Sequence, residues 1–372
     1  MSHFYSEDQY LFRDTVREFV NSEVRPAAPE IDRSGKFPAE LWKRCGELGL
    51  TGIIVPEEYG GLGETVVSEL MVMEELGKAC PALALILDVN CYTIGNLLDK
   101  GNAEQIAAYV PDLAAGKKLG GLSMTEGPGS LNFKEWSISA SRKDDGFVVN
   151  CTKLFQTNSV QSDVIVATLR TEEGIRNFIV DMDTPGIERG FVENKMGLAG
   201  SDTGTIRFVD VFIPEKNMLK GRGKTHDDVP MLDVAAIALG IAQEAYDKTA
   251  AYLKTRTKQG KPLESLSVLG HELVKIATEI ELARNLIYNA GALFDKGENT
   301  YVIARMAKMW TTEMAVRNVS RCIELQGAVG YSEESGLSRL MRDAQGLCIA
   351  ECSSHIQSAM IQAGLGIKVQ TI

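Results

Sequence analysis

This chain lacks the fingerprints that mark most nucleotide and hydrolase sites. Its 35 glycines never fall as Gly-x-Gly-x-x-Gly after a strand, so a Rossmann site is unsupported. Gly223-Lys224-Thr225 has the ending of a phosphate loop, but Met218 stands where that loop needs its first glycine. No Gly-x-Ser-x-Gly elbow and no His-Glu-x-x-His helix occurs. Histidines number four, and His3, His226 and His271 are isolated. The seven cysteines are an odd, scattered set in mostly apolar contexts, which fits reduced, packed thiols. Cys348, Cys352 and His355 would share a helical face at spacings of four and three. A metal would need a fourth ligand, so packed side chains, and no metal, are expected there. No apolar run is long enough to predict a membrane span; Ala82–Leu87 is bounded by Pro81 and Asp88. Residues 1–8 lack the apolar core of a secretory signal and the Arg-rich character of a transit peptide, so a cytoplasmic protein is expected. The net charge of −11, with no basic face, argues against nucleic acid as a partner.

What is present is an ordinary globular composition, 44% hydrophobic and 24% charged over 372 residues, enough for several domains. Ser6 and Gln9 form a capping box, and Phe12, Val16, Phe19 and Val20 follow at helical spacing. Pro26, Pro29 and the Asp32–Gly35 turn are expected to end that helix. Further helices are predicted at Ala39–Leu48, Val66–Lys78 and Ala103–Leu113. Near Leu119 the period shortens. Gly120–Met124, Trp136–Ser141, Gly146–Asn150, Asp163–Leu169, Asn177–Asp181 and Thr205–Val211 read as short strands of a small antiparallel barrel or sandwich. From Val229 the helical period returns and runs to Gly364, broken at Gly260–Pro262, Gly297–Asn299 and Gly327–Gly336. The expected class is α+β: an N-terminal helical domain over 1–118, a β-barrel domain over 119–226, and a C-terminal helical bundle over 227–372.

Several ordered motifs remain. Pro56-Glu57-Glu58-Tyr59-Gly60-Gly61 follows the early helices, and Gly101–Gln105, Tyr109, Pro111, Leu113 and Gly116 lead into the strands. Thr125-Glu126 is trailed by Gly129-Ser130, and Asn150-Cys151-Thr152-Lys153-Leu154-Phe155-Gln156-Thr157-Asn158 comes next. Lys195-Met196-Gly197, Ala238–Gln243, Tyr252 with Arg256, Gly327 with Gly330 and Tyr331, Arg342-Asp343, and Glu351-Cys352-Ser353 closing on Ile356-Gln357 complete the order. Together they resemble the flavin-dependent acyl-CoA dehydrogenases over essentially the whole chain. That resemblance implies bound FAD, an acyl-CoA or enoyl-CoA substrate, an electron-transfer flavoprotein as acceptor, and a homo-oligomer, most simply a tetramer. It implies Glu351, on the last helical stretch, as the catalytic base. It also implies Thr125 at the flavin pyrimidine side, Ser130 near the pyrophosphate, Phe155 on the isoalloxazine and Thr157 near flavin N5. Arg256 would reach a neighbouring subunit's pyrophosphate; Glu324, Gly327 and Ser353 would complete the cofactor contacts.

The residue types suit these roles. A guanidinium forks onto a pyrophosphate, a glycine admits close approach, and a hydroxyl donor near a hydride acceptor stabilises charge building there. A carboxylate in a dry pocket has the raised pKa that abstraction of a thioester α-proton needs. Relatives that take their base from the first bundle helix would place it at Pro230 or Met231, neither of which accepts a proton; Asp227, Asp228 and Asp233 are off register. The departures cluster at the site: Cys352 for Gly, Met231 for Arg, Leu131 for Asp, Ala199 for Arg, Gln259 for Phe, Glu324 for Gln, and Ser267 and Gly270 for Gln. Without the Arg at Met231, a hydrophobic, uncharged acyl group is expected rather than a dicarboxylic one. Enoyl-CoA reduction, a flavin oxidase or monooxygenase, and a non-catalytic scaffold without flavin remain as other readings.

Overall fold

The computed structural model describes residues 5–129, 133–221 and 227–367. The Ser6–Gln9 capping box opens α1 (Glu7–Phe19) as expected. The prolines do not stop the helix. A π-helical turn over Val20–Val24 leads straight into α2 (Arg25–Ser34), and only Gly35, at φ 63°, ends the run. Pro26 sits in the first turn of α2, where a missing N–H costs little, and one interior proline, Pro29, is carried along. After α3 (Ala39–Glu47) come α4 (Val66–Ala79), α5 (Pro81–Lys100) and α6 (Ala103–Ala114).

Helix α5 has no counterpart among the expected elements. Its first turns are apolar all round, so no amphipathic period announced it, and Asp88 looked like a boundary. At 20 residues it is long and apolar enough to span a membrane, as is α7 (Val229–Thr255), contrary to the expectation that nothing in the chain reaches that length. Both are core helices, with 89% of the apolar window buried. Helices α4 and α7 cross at two glycines. A Cβ on Gly77 would stand 2.5 Å from the Ile237 carbonyl, and one on Gly240 would stand 2.3 Å from that of Glu74. Any larger residue at either place forces the backbones apart.

The middle of the chain forms two four-stranded sheets. One runs β1 (Gly120–Ser123), β4 (Val164–Thr171), β5 (Gly174–Asp181), β8 (Met218–Leu219); the other runs β2 (Ala140–Lys143), β3 (Gly146–Thr157), β7 (Thr203–Pro214), β6 (Ile187–Val192). Their inner faces share one core, in which Phe147 and Phe178 meet edge to face at 5.1 Å. The expectation of antiparallel pairing fails once: β1 lies parallel to β4. Alternation within a strand carries no information about its neighbour's direction, so the sequence was silent on this. Two strands, β6 and β8, were unforeseen; β6 is largely exposed and lacks a buried alternation.

Beyond α7 a short hairpin, β9 (Thr257–Lys258) and β10 (Lys261–Pro262), leads into α8 (Ser267–Asp295), α9 (Tyr301–Gln326), α10 (Leu337–Leu347) and α11 (Ser354–Gly364). The last helical stretch is therefore two helices, and Glu351 lies in the connection between them. This breaks the helical face expected for Cys348, Cys352 and His355: Cys352 sits at φ 76° in the connection, and His355 lies in the first turn of α11.

Candidate active site

Glu351 and Cys352 adopt left-handed backbone at φ 47° and 76°, two successive non-glycine residues in a region that costs each about 1–2 kcal/mol. The second of them stands where a glycine is usual, which is the residue this backbone favours. Side chains from two elements hold the bend. Buried Lys308 on α9 donates to the carbonyls of Cys348 at 3.2 Å and Cys352 at 2.7 Å. Buried Gln357 on α11 donates to the carbonyl of Glu351 at 2.7 Å, and its own backbone N–H donates to Ser353 at 2.9 Å. Ser353 caps α11 by position alone; its hydroxyl makes no capping bond.

Desolvation raises the Glu351 carboxyl above its ordinary value; the Lys308 ammonium opposes the shift and Asp227 adds to it. Burial in turn lowers Lys308 to about 8. The thiol of Cys352 is pushed up to about 11, chiefly by burial, which leaves it unreactive.

A second group of expected residues gathers on the β-domain. Strand β3 bulges between Lys153 and Gln156, and Phe155 in the bulge takes φ 53° and is 63% exposed. The backbone of Leu154 donates to Thr125 at 2.8 Å, which sets Thr125 beside Phe155. Beneath them, fully buried Lys153 pairs with Glu126 at 2.7 Å, donates to the carbonyls of Thr168 and Met124, and stacks on Trp136 at 4.4 Å. Half-buried Thr157 pairs with Thr203 across β7. Ser130 lies outside the described residues.

The two groups are tied together. The Leu198 backbone donates to Asp343 at 2.6 Å, and Arg342 donates to the carbonyl of Met196 at 3.2 Å, joining the β-domain to the helix that feeds the Glu351 connection. The remaining expected residues lie apart from both groups. Arg256 is exposed at the end of α7 and its guanidinium makes no bond among the described residues. Exposed Gly327 ends α9 at φ 61°, with nothing within 4 Å of where a Cβ would be; Glu324 accepts from its backbone at 3.0 Å.

Sequence reasoning did not foresee that Glu69, Asp88 and Asp233 lie in the interior, nor the bonds Lys308 makes to the Glu351 connection. The available signal was a charge on the apolar face of a helical period, most visible in Asp88 three and four residues before Cys91 and Tyr92. Of the off-register aspartates, Asp228 pairs with Arg305 at 2.6 Å, Asp227 accepts from Tyr92 at 3.3 Å, and Asp233 is buried.

Family models for the N-terminal, middle and C-terminal domains of acyl-CoA dehydrogenase match residues 6–117, 121–211 and 232–366. The chain belongs to the acyl-CoA dehydrogenase family. An acyl-CoA dehydrogenase of Bacillus subtilis is 34% identical, with 96% of this chain and 97% of that one covered. An acryloyl-CoA reductase (NADH) of Anaerotignum propionicum is 33% identical over 96% of this chain and 94% of its own. The structure of butyryl-CoA dehydrogenase from Megasphaera elsdenii superposes with a TM-score of 0.93 at 31% identity, covering 98% of this chain and 100% of that one. This family member is therefore an FAD-dependent oxidoreductase. The site suits that cofactor: Phe155 presents an open aromatic face, Gly327 leaves room for close approach, and Arg256 keeps an uncommitted guanidinium. The expected contact at Glu324 does not fit, since a carboxylate would meet a pyrophosphate as a like charge.

Proposed function

We propose that Glu351 is the base of an α,β-dehydrogenation of an acyl-CoA thioester. The observation that carries this reading is a partly buried carboxyl with a raised pKa, held in left-handed backbone by Lys308 and Gln357. The carboxylate takes the α-proton, a double bond forms between Cα and Cβ, and the β-hydrogen leaves as hydride. FAD, when bound, is the acceptor of that hydride. Phe155, Thr125 and Thr157 would hold the flavin, and Arg256 with Gly327 the pyrophosphate side. The strained backbone at Glu351 fixes where its carboxylate points, and burial keeps it basic enough to accept a carbon-bound proton.

Electrons then pass to an electron-transfer flavoprotein, and exposed Arg256, whose guanidinium has no partner among the described residues, supports an assembly in which a neighbouring subunit completes the cofactor site. Anaerobic addition of acyl-CoA thioesters to the flavin-loaded protein tests the reading: bleaching of the flavin supports it, and silence across the panel with flavin bound defeats it. The reverse reaction, reduction of an enoyl-CoA, is favoured by the 33% identity to an acryloyl-CoA reductase and uses the same residues, with protonated Glu351 as the donor to Cα. Reoxidation of the reduced enzyme by an enoyl-CoA measures that direction.

A further inference from the structure

Two stretches between β1 and β2, residues 124–129 and 133–136, converge on one indole. Trp136 is 2% exposed, and its Nε1 donates to the carbonyl of Gly129 at 2.8 Å. The Gly129 backbone N–H donates in turn to the carbonyl of Glu126 at 2.8 Å, which closes the turn that follows Thr125. The Lys153 ammonium stands 4.4 Å from the centre of the indole, pairs with Glu126 and donates to the carbonyl of Met124 at 3.3 Å. Phe133 meets the indole edge to face at 4.9 Å. Arg170 on β4 donates to the carbonyls of Phe133, Lys134 and Trp136, so the indole is itself held in place.

The turn is pinned from within and bare on its open side. A Cβ on Gly127 or Gly129 would meet nothing within 4 Å. Gly129 takes φ 108°, so glycine is needed there for its backbone and not because space is short. Such a bare backbone admits close approach of a ligand. A ligand with phosphates is repelled by a carbonyl turned towards it, because both are acceptors. The bond from Trp136 turns the Gly129 carbonyl to the buried indole instead. The same indole packs on Lys153, two residues before Phe155. One buried side chain thus braces both the turn after Thr125 and the strand that enters the Phe155 bulge.

We propose that Trp136 is a positioning residue of the flavin site, which sets Thr125 and Phe155 in the one geometry that receives FAD. This rests on the reading that Thr125 and Phe155 hold the flavin. Trp136 acts through its neighbours: the indole N–H fixes the 126–129 turn, and the ring supports Lys153 and, through it, Glu126. Without that N–H the Gly129 carbonyl loses its inward partner, and FAD has to order the turn as it binds. The loss therefore falls on cofactor affinity.

The experiment dilutes each FAD-loaded protein and follows released flavin by its fluorescence, which gives a dissociation constant without turnover. Trp136→Phe keeps a ring and removes the N–H. Trp42→Phe is the matched control, because buried Trp42 makes the same kind of bond, from Nε1 to the carbonyl of Gly116 at 3.1 Å, on α3. Trp136→Phe should hold FAD about three- to tenfold more weakly, the factor that one neutral hydrogen bond supplies. Trp42→Phe should hold it as wild type does, whatever either change does to the thermal midpoint. Gly129→Ala strains the same turn and should also weaken FAD; in the double variant the two losses should not multiply, since they act on one turn. Gly129→Ala carries the test if Trp136→Phe does not fold. Phe155→Ala gauges the reading beneath the inference. Wild-type affinity in the Trp136 and Gly129 variants, with a loss in Phe155→Ala, overturns the inference alone, as do equal losses in the two tryptophan variants. Wild-type affinity in Phe155→Ala overturns the reading and the inference with it.

Discussion

The side-chain amide of Gln357 donates at 2.7 Å to the main-chain carbonyl of Glu351, six residues before it, so the start of α11 fixes the backbone that carries the base. Gln357→Leu removes the donor and leaves a carbonyl unsatisfied, which costs about 1–3 kcal/mol. Urea unfolding should show that loss. Because the residue positions Glu351 without replacing it, kcat should fall more than KM rises.

The raised Glu351 carboxyl predicts the pH dependence of dehydrogenation. Only the ionised form accepts the α-proton, so kcat/KM should be low in acid and climb with pH through a midpoint above 4.5, the ordinary value. Measured pH–rate profiles check this. Lys308→Met removes the ammonium that opposes the shift and should move the rising limb to higher pH; a move to lower pH contradicts the stated electrostatics.

Lys153 and Glu126 form a buried pair under the Phe155 bulge, at 2.7 Å. Lys153→Ala strands the Glu126 carboxylate and should cost about 3–5 kcal/mol. Adding Glu126→Gln should recover part of it, since the stranded charge is gone. Equilibrium denaturation of both variants measures the difference, and equal stabilities would show that the ion pair is not what holds the bulge.

Asp343 joins the domains by accepting from Leu198, and burial raises its carboxyl from 3.8 to about 6. A carboxyl raised on folding favours the fold while protonated. Its contribution is complete below about pH 4 and is lost as pH rises through about 6, by about 3 kcal/mol in all. The stability of wild type relative to Asp343→Asn should therefore decline across that window and be flat on either side. Chemical denaturation from pH 3.5 to 8 gives the curve.

The helix, sheet, helix order was legible because the hydrophobic period changes from 3.6 to 2 and back near Leu119 and Val229. Helix α5 was not, because a segment buried on all sides has no period to read. Pro26 and Pro29 misled for a local reason: the π-turn before α2 places Pro26 where no N–H is needed. The motifs nominated Phe155 and Thr125 as flavin contacts and the structure sets the two side by side, but the bulge that carries Phe155 is a register shift visible only against β7. The hydrogen bond between the Asp88 and Asp233 carboxyls was invisible in one dimension, since the two lie far apart in the chain and meet only when α5 packs on α7.

The account turns on Glu351, and one measurement addresses it directly: anaerobic titration of flavin-loaded wild type and Glu351→Gln with a thioester that bleaches the wild-type flavin. Glutamine keeps the shape and cannot take the proton. The predicted result is a variant that retains its flavin spectrum and thermal midpoint yet shows no bleaching, with loss of turnover by about 10²-fold or more. Bleaching at near wild-type rate by the glutamine variant would contradict the account and move the base elsewhere in the site.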